Sequence, residues 1–218
     1  KDIKNNPKLV ANNPIKVSGK DSIIVSMRLI PNNPNGENDN NYFQNAKQYI
    51  EYKYTLRGND YRLGYGIIFN NMQDIVTDDN EIEMNWVSEL KLKEKDADIE
   101  RKNSSIYYLL SDEVDYLKEN GRDDNKKENA IPIKWINYKQ QFFSTAILAT
   151  KNPFESASMK TTSEKKADNL YVRTMSSTLT LPYQKDKRYT EYNMDFFYGP
   201  NKYGLVKERY SSRSFVLI

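Results

Sequence analysis

The feature that most constrains the fold of this chain is a two-residue alternation of apolar and polar side chains. The clearest example is a pair of alternating segments, residues 50–56 and 61–69, separated by the sequence Arg-Gly-Asn-Asp at residues 57–60. Successive side chains of a β-strand point to opposite faces, so this period predicts strands with one buried face. The turn-forming residues between the two segments predict a β-hairpin.

Further strands are predicted wherever aromatic and β-branched residues dominate, because these residues favour extended backbone. The predicted segments are residues 22–30, 83–93, 105–110, 131–138, 142–150, 170–181 and 189–198. With strands dominating and no linker or repeat dividing the chain, the pattern predicts a single all-β domain over residues 1–218.

Two short peripheral helices are also predicted. The first extends from Ser111, as N-cap, to a stop at residues 120–121, and is followed by a charged loop over residues 122–128. The second covers residues 199–210, where a proline suits the first helical position. Three apolar residues share one face of this second helix at helical spacing, namely Tyr203, Val206 and Tyr210.

Composition excludes several kinds of chemistry. The 218 residues include no cysteine and no histidine, which excludes thiolate and imidazole nucleophiles, disulfides and zinc sites of the ordinary ligand types. The 33 Lys and Arg residues are interspersed with 30 Asp and Glu residues, so no basic stripe for nucleic acid is visible. No apolar run approaches the length of a transmembrane helix, about 18 residues.

The remaining candidate sites are weak. Acidic groups at residues 78–81 and 94–98 are typical of turns, and the distance that a glycosidase pair requires cannot be tested from sequence. Gly64 and Gly66 lack the third glycine and the helix of a dinucleotide loop. Trp86 and Trp135 lie in predicted strands, which favours core packing over a carbohydrate platform. No catalytic residue, metal site or cofactor is predicted.

Residues 133–146 have a more distinctive sequence, Ile-Lys-Trp-Ile-Asn-Tyr-Lys-Gln-Gln-Phe-Phe-Ser-Thr-Ala. This segment resembles the large periplasmic domain of YidC-type membrane protein insertases, in the YidC/Oxa/Alb family. The family pattern is a tryptophan, a short spacer, and then Gln with two aromatic residues and a small residue. The matching positions are Trp135, Gln141, Phe142, Phe143 and Ser144.

Two other segments match the same family in order along the chain. Residues 197–203 contain Gly199, Pro200 and Asn201. They are similar to the aromatic-Gly-Pro element near the end of that domain, in the form of the sequence that is typical of Bacteroidetes members. The hairpin segment 54–61 is the third match. A purely structural interpretation of these motif residues is that Trp135, Phe142 and Phe143 fill the core. In the same interpretation, Gly199 and Pro200 turn the chain into its helix.

The resemblance implies a large, twisted antiparallel β-sandwich, a supersandwich similar to galactose mutarotases. It implies that the helix over residues 199–210 leads toward a membrane portion. Family members carry a transmembrane helix and an N-terminal part of the sandwich before the matching region. The domain is therefore expected to lack its N-terminal part.

The resemblance also implies a function. The expected role is a non-catalytic periplasmic domain of a multi-pass protein anchored in the bacterial inner membrane, which assists insertion and folding of inner-membrane proteins as an insertase and chaperone. Expected partners are Sec translocon accessory proteins and nascent membrane proteins, contacted through Tyr203, Val206 and Tyr210, and not nucleic acid.

One alternative stays open, a carbohydrate- or polymer-binding sandwich without turnover. It requires a concave site with exposed aromatic residues and convergent polar groups. Mutarotase activity itself is excluded, because those enzymes use histidine for proton transfer and this chain has none.

Overall fold

The computed structural model describes residues 15–32, 46–77, 80–129, 131–163 and 171–201. This part of the chain contains twelve strands and one helix. The strands are β1 (Ser22–Leu29), β2 (Tyr49–Arg57), β3 (Arg62–Asn70), β4 (Glu81–Lys91), β5 (Ser105–Leu110), β6 (Glu113–Tyr116), β7 (Asp124–Glu128), β8 (Ile133–Lys139), β9 (Phe143–Ala149), β10 (Ser156–Thr162), β11 (Tyr171–Pro182) and β12 (Tyr189–Pro200). The helix, α1, covers Ala97–Lys102.

The chain divides into two compact units. The first comprises residues 1–80 and 183–195, and the second comprises residues 81–182 and 196–218. Strand β12 therefore contributes its first part to one unit and its last part to the other. The prediction of a single domain over residues 1–218 stays a prediction.

In the first unit, β1, β2, β3 and the first part of β12 lie side by side in that order. The predicted hairpin is confirmed, since β2 and β3 pair antiparallel with Tyr54 opposite Tyr65. Its turn requires glycine at one position, because a Cβ on Gly58 would lie 2.4 Å from the carbonyl carbon of Ser18. The next residue, Asn59, has a left-handed backbone with φ of 55°, a conformation that asparagine tolerates.

The core of the first unit is built around one aromatic residue of β3. The Phe69 ring lies 5.5 Å from the Tyr183 ring and meets Tyr192 edge to face at 6.0 Å. All three side chains are buried, and so is Met194 of β12. Burial of such large aromatic surfaces is a principal source of stability.

The second unit is a sandwich of two sheets. One sheet has the order β12-β9-β8-β5-β6 and the other has the order β4-β11-β10-β7. Tyr138 of β8 joins them, because its ring stacks on Trp86 of β4 at 3.9 Å and its hydroxyl donates a hydrogen bond to the Trp86 carbonyl at 2.9 Å. Burial raises the pKa of Tyr138, so its hydroxyl stays protonated. The all-β antiparallel sandwich predicted from sequence is confirmed.

A buried arginine ties three elements of the second unit together. The Arg173 side chain is fully buried in β11, and its guanidinium donates to the Ser104 carbonyl at 2.7 Å and to Thr161 Oγ1 at 2.9 Å. It also donates to the Arg122 carbonyl. Its Nε–H has no hydrogen-bond partner. Burial lowers the pKa of this guanidinium.

Two predictions about local structure are wrong. The helix predicted from Ser111 to residue 121 is instead a tight turn, with Ser111 at φ of 53°, followed by β6 pairing with β5. The predicted charged loop over residues 122–128 contains β7, which pairs antiparallel with β10. In each case the pairing of a neighbouring strand overrides the local preference of the sequence.

The second predicted helix falls mostly outside the described residues. Its first two residues, Gly199 and Pro200, are the last residues of β12. Residues 202–210 are not among the described residues, so the helix stays a prediction.

Candidate functional site

The turn between β8 and β9 is the candidate site, because the family-like residues 135–144 surround it. The backbone N–H of Gln140 donates to the Phe143 carbonyl at 2.8 Å and closes the turn. Trp135, in β8, is buried in a cluster on one face of its sheet. The other buried members of that cluster are Tyr107, Leu109, Ala146 and Phe197.

The expectation that Phe142 and Phe143 fill the core is wrong. Their exposed fractions are 52% and 49%. Each leaves about half of a large apolar side chain in contact with water. The turn, named here the Phe-Phe turn and comprising residues 140–143, therefore presents an apolar surface.

Asn201 connects this turn to the second family-like segment. Its backbone N–H donates to the Phe142 carbonyl at 2.8 Å, and its side-chain amide donates to the Gln140 carbonyl at 2.8 Å. The hydroxyl of Ser144 donates in turn to Asn201 Oδ1 at 2.6 Å. Two segments about sixty residues apart in sequence thus meet at one asparagine, which no spacing in the sequence could show.

A buried carboxylate also contacts the turn. Glu100 of α1 is 1% exposed and accepts a hydrogen bond from Gln140 Nε2 at 3.1 Å. Its other oxygen accepts the backbone N–H groups of Lys93 at 2.9 Å and Glu94 at 3.1 Å. No sequence pattern singles out Glu100, because a glutamate in a charged segment is normally a solvated residue.

The helix that carries Glu100 is positioned by its own cap. Asp96 precedes α1, and its carboxylate accepts the N–H groups of Asp98 at 2.9 Å and Ile99 at 3.0 Å. Such a cap satisfies N–H groups that have no partner within the helix. A six-residue helix would be unstable alone, so this cap and the Glu100 contacts fix its place.

Comparison with known proteins identifies relatives of the chain. A membrane protein insertase YidC from Azobacteroides pseudotrichonymphae is 29% identical over 162 residues, which is 73% of this chain and 26% of the relative. A YidC from Parabacteroides distasonis is 27% identical over 161 residues, which is 73% of this chain and 24% of that relative. The chain is related to YidC membrane protein insertases. The resemblance found in the sequence is thereby confirmed.

A third relative extends the coverage. The membrane protein insertase YidC of Phocaeicola vulgatus is 26% identical over 181 residues, which is 82% of this chain and 26% of the relative. The chain thus spans about a quarter of the length of the YidC proteins it matches. No protein-family model matches the chain. Within its described residues, no helix is long and apolar enough to cross a membrane.

The other residues proposed from the YidC resemblance have varied positions. Gln141 is half-buried, and its Oε1 is buried without a hydrogen-bond partner. Gly199 and Pro200 end β12 directly before Asn201. The predicted partner-contact residues Tyr203, Val206 and Tyr210 lie outside the described residues.

A separate cavity lies on the smaller sheet of the second unit. It has a volume of about 550 Å³ and lies on the face opposite the buried residues Leu179 and Ala157. Hydroxyl, carboxylate, amide and ammonium groups line it, from Glu81, Glu83, Lys127, Asn129, Glu155, Ser156, Ser158, Thr178 and Thr180. No aromatic residue is among these lining residues. No group of three or more acidic side chains suited to a metal ion occurs in the described part of the chain.

Proposed function

We propose that this chain is a non-catalytic domain of a YidC-type insertase that assists the insertion and folding of inner-membrane proteins from the periplasmic side. The observation that supports this most strongly is the similarity to YidC membrane protein insertases over 72–82% of the chain. In the proposed arrangement the domain is anchored by membrane segments of a longer parent protein. Those segments perform the insertion step.

The structure is compatible with a scaffold of this kind. Its candidate site is a network of amide, carboxylate and backbone hydrogen bonds around the Phe-Phe turn, which fixes geometry and offers no activated nucleophile. The chain also contains no histidine, the most frequent general acid and base of enzymes. We therefore assign the hydrogen-bonded geometry of the site to positioning of a surface.

The proposed physical contribution is the protection of apolar segments outside the bilayer. A nascent membrane protein exposes apolar surface to water, at a cost of about 25 cal/mol for each Å². A domain that holds such a segment, or a Sec accessory protein, beside the membrane reduces the time during which that surface is exposed. We propose that Tyr203, Val206 and Tyr210 contact these partners.

Site-specific photocrosslinking in the intact parent protein tests this proposal. A photoreactive amino acid at Tyr203 or Tyr210 should capture a Sec accessory protein or a nascent membrane protein. The matched controls are Tyr61 and Tyr189, which are 43% and 52% exposed in the first unit. Equal capture at all four positions, or capture of neither partner at Tyr203 and Tyr210, would count against the proposed contact.

The cavity on the smaller sheet favours a second candidate function, the binding of a polyhydroxylated ligand without turnover. Four hydroxyl groups and three carboxylates line it and can exchange hydrogen bonds with sugar hydroxyls. The absence of lining aromatic residues removes the stacking platform that a carbohydrate site normally offers. Isothermal titration calorimetry with a panel of envelope glycans decides the matter, since no heat for any glycan would exclude this function.

A further inference from the structure

The floor of the cavity on the smaller sheet is a block of four hydroxyl groups from two adjacent strands. Thr178 and Thr180 of β11 lie opposite Ser158 and Ser156 of β10, and all four residues line the cavity. Alternate residues of a strand share one face of the sheet, so these hydroxyls lie side by side. Ser156 Oγ donates to Thr180 Oγ1 at 2.7 Å, and Thr178 Oγ1 donates to Asn85 Oδ1 at 2.6 Å. The hydroxyls are therefore oriented and keep free lone pairs for a ligand.

Three carboxylates surround one end of this block. Glu83 of β4 lies opposite Thr180, and Glu81 is two residues before it on the same face. Glu155 directly precedes Ser156, and its backbone N–H donates to the Thr180 carbonyl at 3.0 Å. The side chains of Glu83 and Glu155 form no ion pair within the described part of the chain. A ligand can therefore meet these two charges without displacing a cationic side chain.

The opposite side of the cavity carries its single ammonium group. Lys127 of β7 lies opposite Ser158 of β10. Strands β4 and β7 are the two outer strands of this four-stranded sheet, which places them about 14 Å apart at the usual strand spacing. The lining residues carry three carboxylates and one ammonium, a net charge of −2, whereas the whole chain has a net charge of +3. The cavity thus has an acidic end, and a cationic group neutralises it.

We propose that this cavity binds a polyhydroxylated ligand that carries ammonium groups, an oligomer of an amino sugar. The hydroxyl block exchanges hydrogen bonds with ring hydroxyls, and the carboxylates accept charge-assisted hydrogen bonds from the ammonium groups. No aromatic ring among the lining residues stacks on a sugar, so charge replaces stacking as the source of affinity. The inference rests on the second candidate function, ligand binding at this cavity, and is independent of the insertase proposal.

The arrangement of the carboxylates favours such a ligand over a bound metal ion. A metal ion needs several oxygen ligands converging within a few Å, and no group of three or more acidic side chains meets that condition in the described residues. Carboxylates spread over two strands instead suit cationic groups that are spaced along a chain. The cavity volume of about 550 Å³ is also of the size that accommodates an organic ligand.

Isothermal titration calorimetry at about pH 6 tests the proposal on the chain as it stands, with tetramers of glucosamine and of N-acetylglucosamine as probes. Acetylation removes the ammonium groups and keeps most of the ring hydroxyls. We expect the glucosamine tetramer to bind about tenfold more tightly, and added salt to weaken its binding several-fold. Equal binding of both tetramers would overturn this inference and leave the second candidate function standing. Binding of neither would also overturn it, and the panel of envelope glycans then decides the second candidate function separately.

Substitution of the unpaired carboxylates tests the site itself. The variant E83Q/E155Q should bind the glucosamine tetramer about five- to tenfold more weakly, as expected for the loss of two solvent-accessible ion pairs. The matched control is E89Q/E113Q, which neutralises two exposed glutamates of the same unit that do not line the cavity. An equal loss in both variants, or an unchanged affinity in the first, would contradict the proposal.

Nuclear magnetic resonance locates the ligand without any substitution. On titration with the glucosamine tetramer, the backbone amide resonances of Thr178, Thr180 and Ser158 should shift. Those of Tyr54 and Tyr65, in the hairpin of the first unit, should stay in place. If the shifts are confined to residues outside the cavity, the ammonium-bearing ligand binds elsewhere and the proposal is wrong.

Discussion

Replacing Arg173 tests whether buried hydrogen bonds of this sandwich outweigh the cost of burying a charge. The guanidinium donates to two backbone carbonyls and one hydroxyl, from Ser104, Arg122 and Thr161. The substitution Arg173→Met keeps the length of the side chain and removes every donor. Each carbonyl left without a partner costs about 1–3 kcal/mol, whereas removing the buried charge returns part of that amount. We expect a net loss of about 2–4 kcal/mol in the free energy of unfolding.

The substitution Arg173→Lys separates the two contributions. Lysine keeps the buried charge, but its single ammonium cannot reach three acceptors that arginine contacts with a planar fork. We therefore expect Arg173→Lys to destabilise the protein at least as much as Arg173→Met does. This order is the reverse of what chemical similarity between arginine and lysine would suggest.

Urea unfolding followed by tryptophan fluorescence measures these losses. Both tryptophans of the chain, Trp86 and Trp135, belong to the second unit, as Arg173 does, so the signal reports on the unit that the substitution affects. The urea concentration at the midpoint of unfolding should fall, while the slope of the unfolding free energy against urea concentration stays constant. This combination identifies a change in stability. A change below about 0.5 kcal/mol in both variants, or a lysine variant as stable as the original, would refute the reasoning.

Three further predictions concern other positions. Phe143→Ala should lower the free energy of unfolding by only about 1 kcal/mol, because the side chain is half exposed. Phe154→Ala, at a fully buried residue, should lower it by about 3–5 kcal/mol, and equal losses in urea unfolding would contradict the assigned burial. Burial alone would raise the pKa of Asp115, but hydrogen bonds from Lys126 and the backbone outweigh it and hold that pKa below its usual range. The folded pKa lies below the unfolded value, so this stabilisation is present above about pH 4 and disappears as the pH falls through the folded pKa. Asp115→Asn should therefore lose less stability between pH 6 and pH 3, about two units above and one unit below that point, than the unmodified chain does. Gly58→Ala should lower the free energy of unfolding by about 1–3 kcal/mol, because a Cβ at this position overlaps the backbone carbonyl of Ser18. An unchanged midpoint temperature in thermal unfolding would show that the turn relaxes freely.

Much of the fold follows from alternation alone. The hairpin of β2 and β3 is predictable because its apolar residues change face at every step and its turn consists of residues that tolerate unusual backbone angles. Two of the missed strands, β7 and β10, are rich in charged or hydroxyl residues. They are held by pairing with each other and, for β10, with β11, a cause that does not appear in local sequence.

The missed strand β6 has a different explanation. Ser111 followed by two acidic residues has the composition of a helix start. In the structure Ser111 takes a left-handed backbone, and the following residues pair with β5. The antiparallel pairing with β5 satisfies backbone groups of this segment through a distant partner rather than through a local helix.

The candidate site was only partly accessible from sequence. The family-like segments contain the residues of the Phe-Phe turn and Asn201, but the core packing expected for Phe142 and Phe143 is wrong, since both are half exposed. Nothing in the sequence connects Asn201 with the turn or Glu100 with Gln140, because these contacts span 40 to 61 residues and depend on sheet order. Long-range hydrogen bonds of buried polar groups are the part of a site that local patterns do not encode.

The central claim is that this domain assists insertion without performing it. The most direct test compares the intact parent protein, reconstituted in lipid vesicles, with a form in which residues 1–201 are replaced by a flexible linker. The rate at which a nascent membrane protein becomes protected from protease reports insertion. We predict a slower but measurable rate without the domain, at equal amounts of reconstituted protein. An unchanged rate would contradict assistance by this domain, and complete loss of insertion would contradict a merely assisting role.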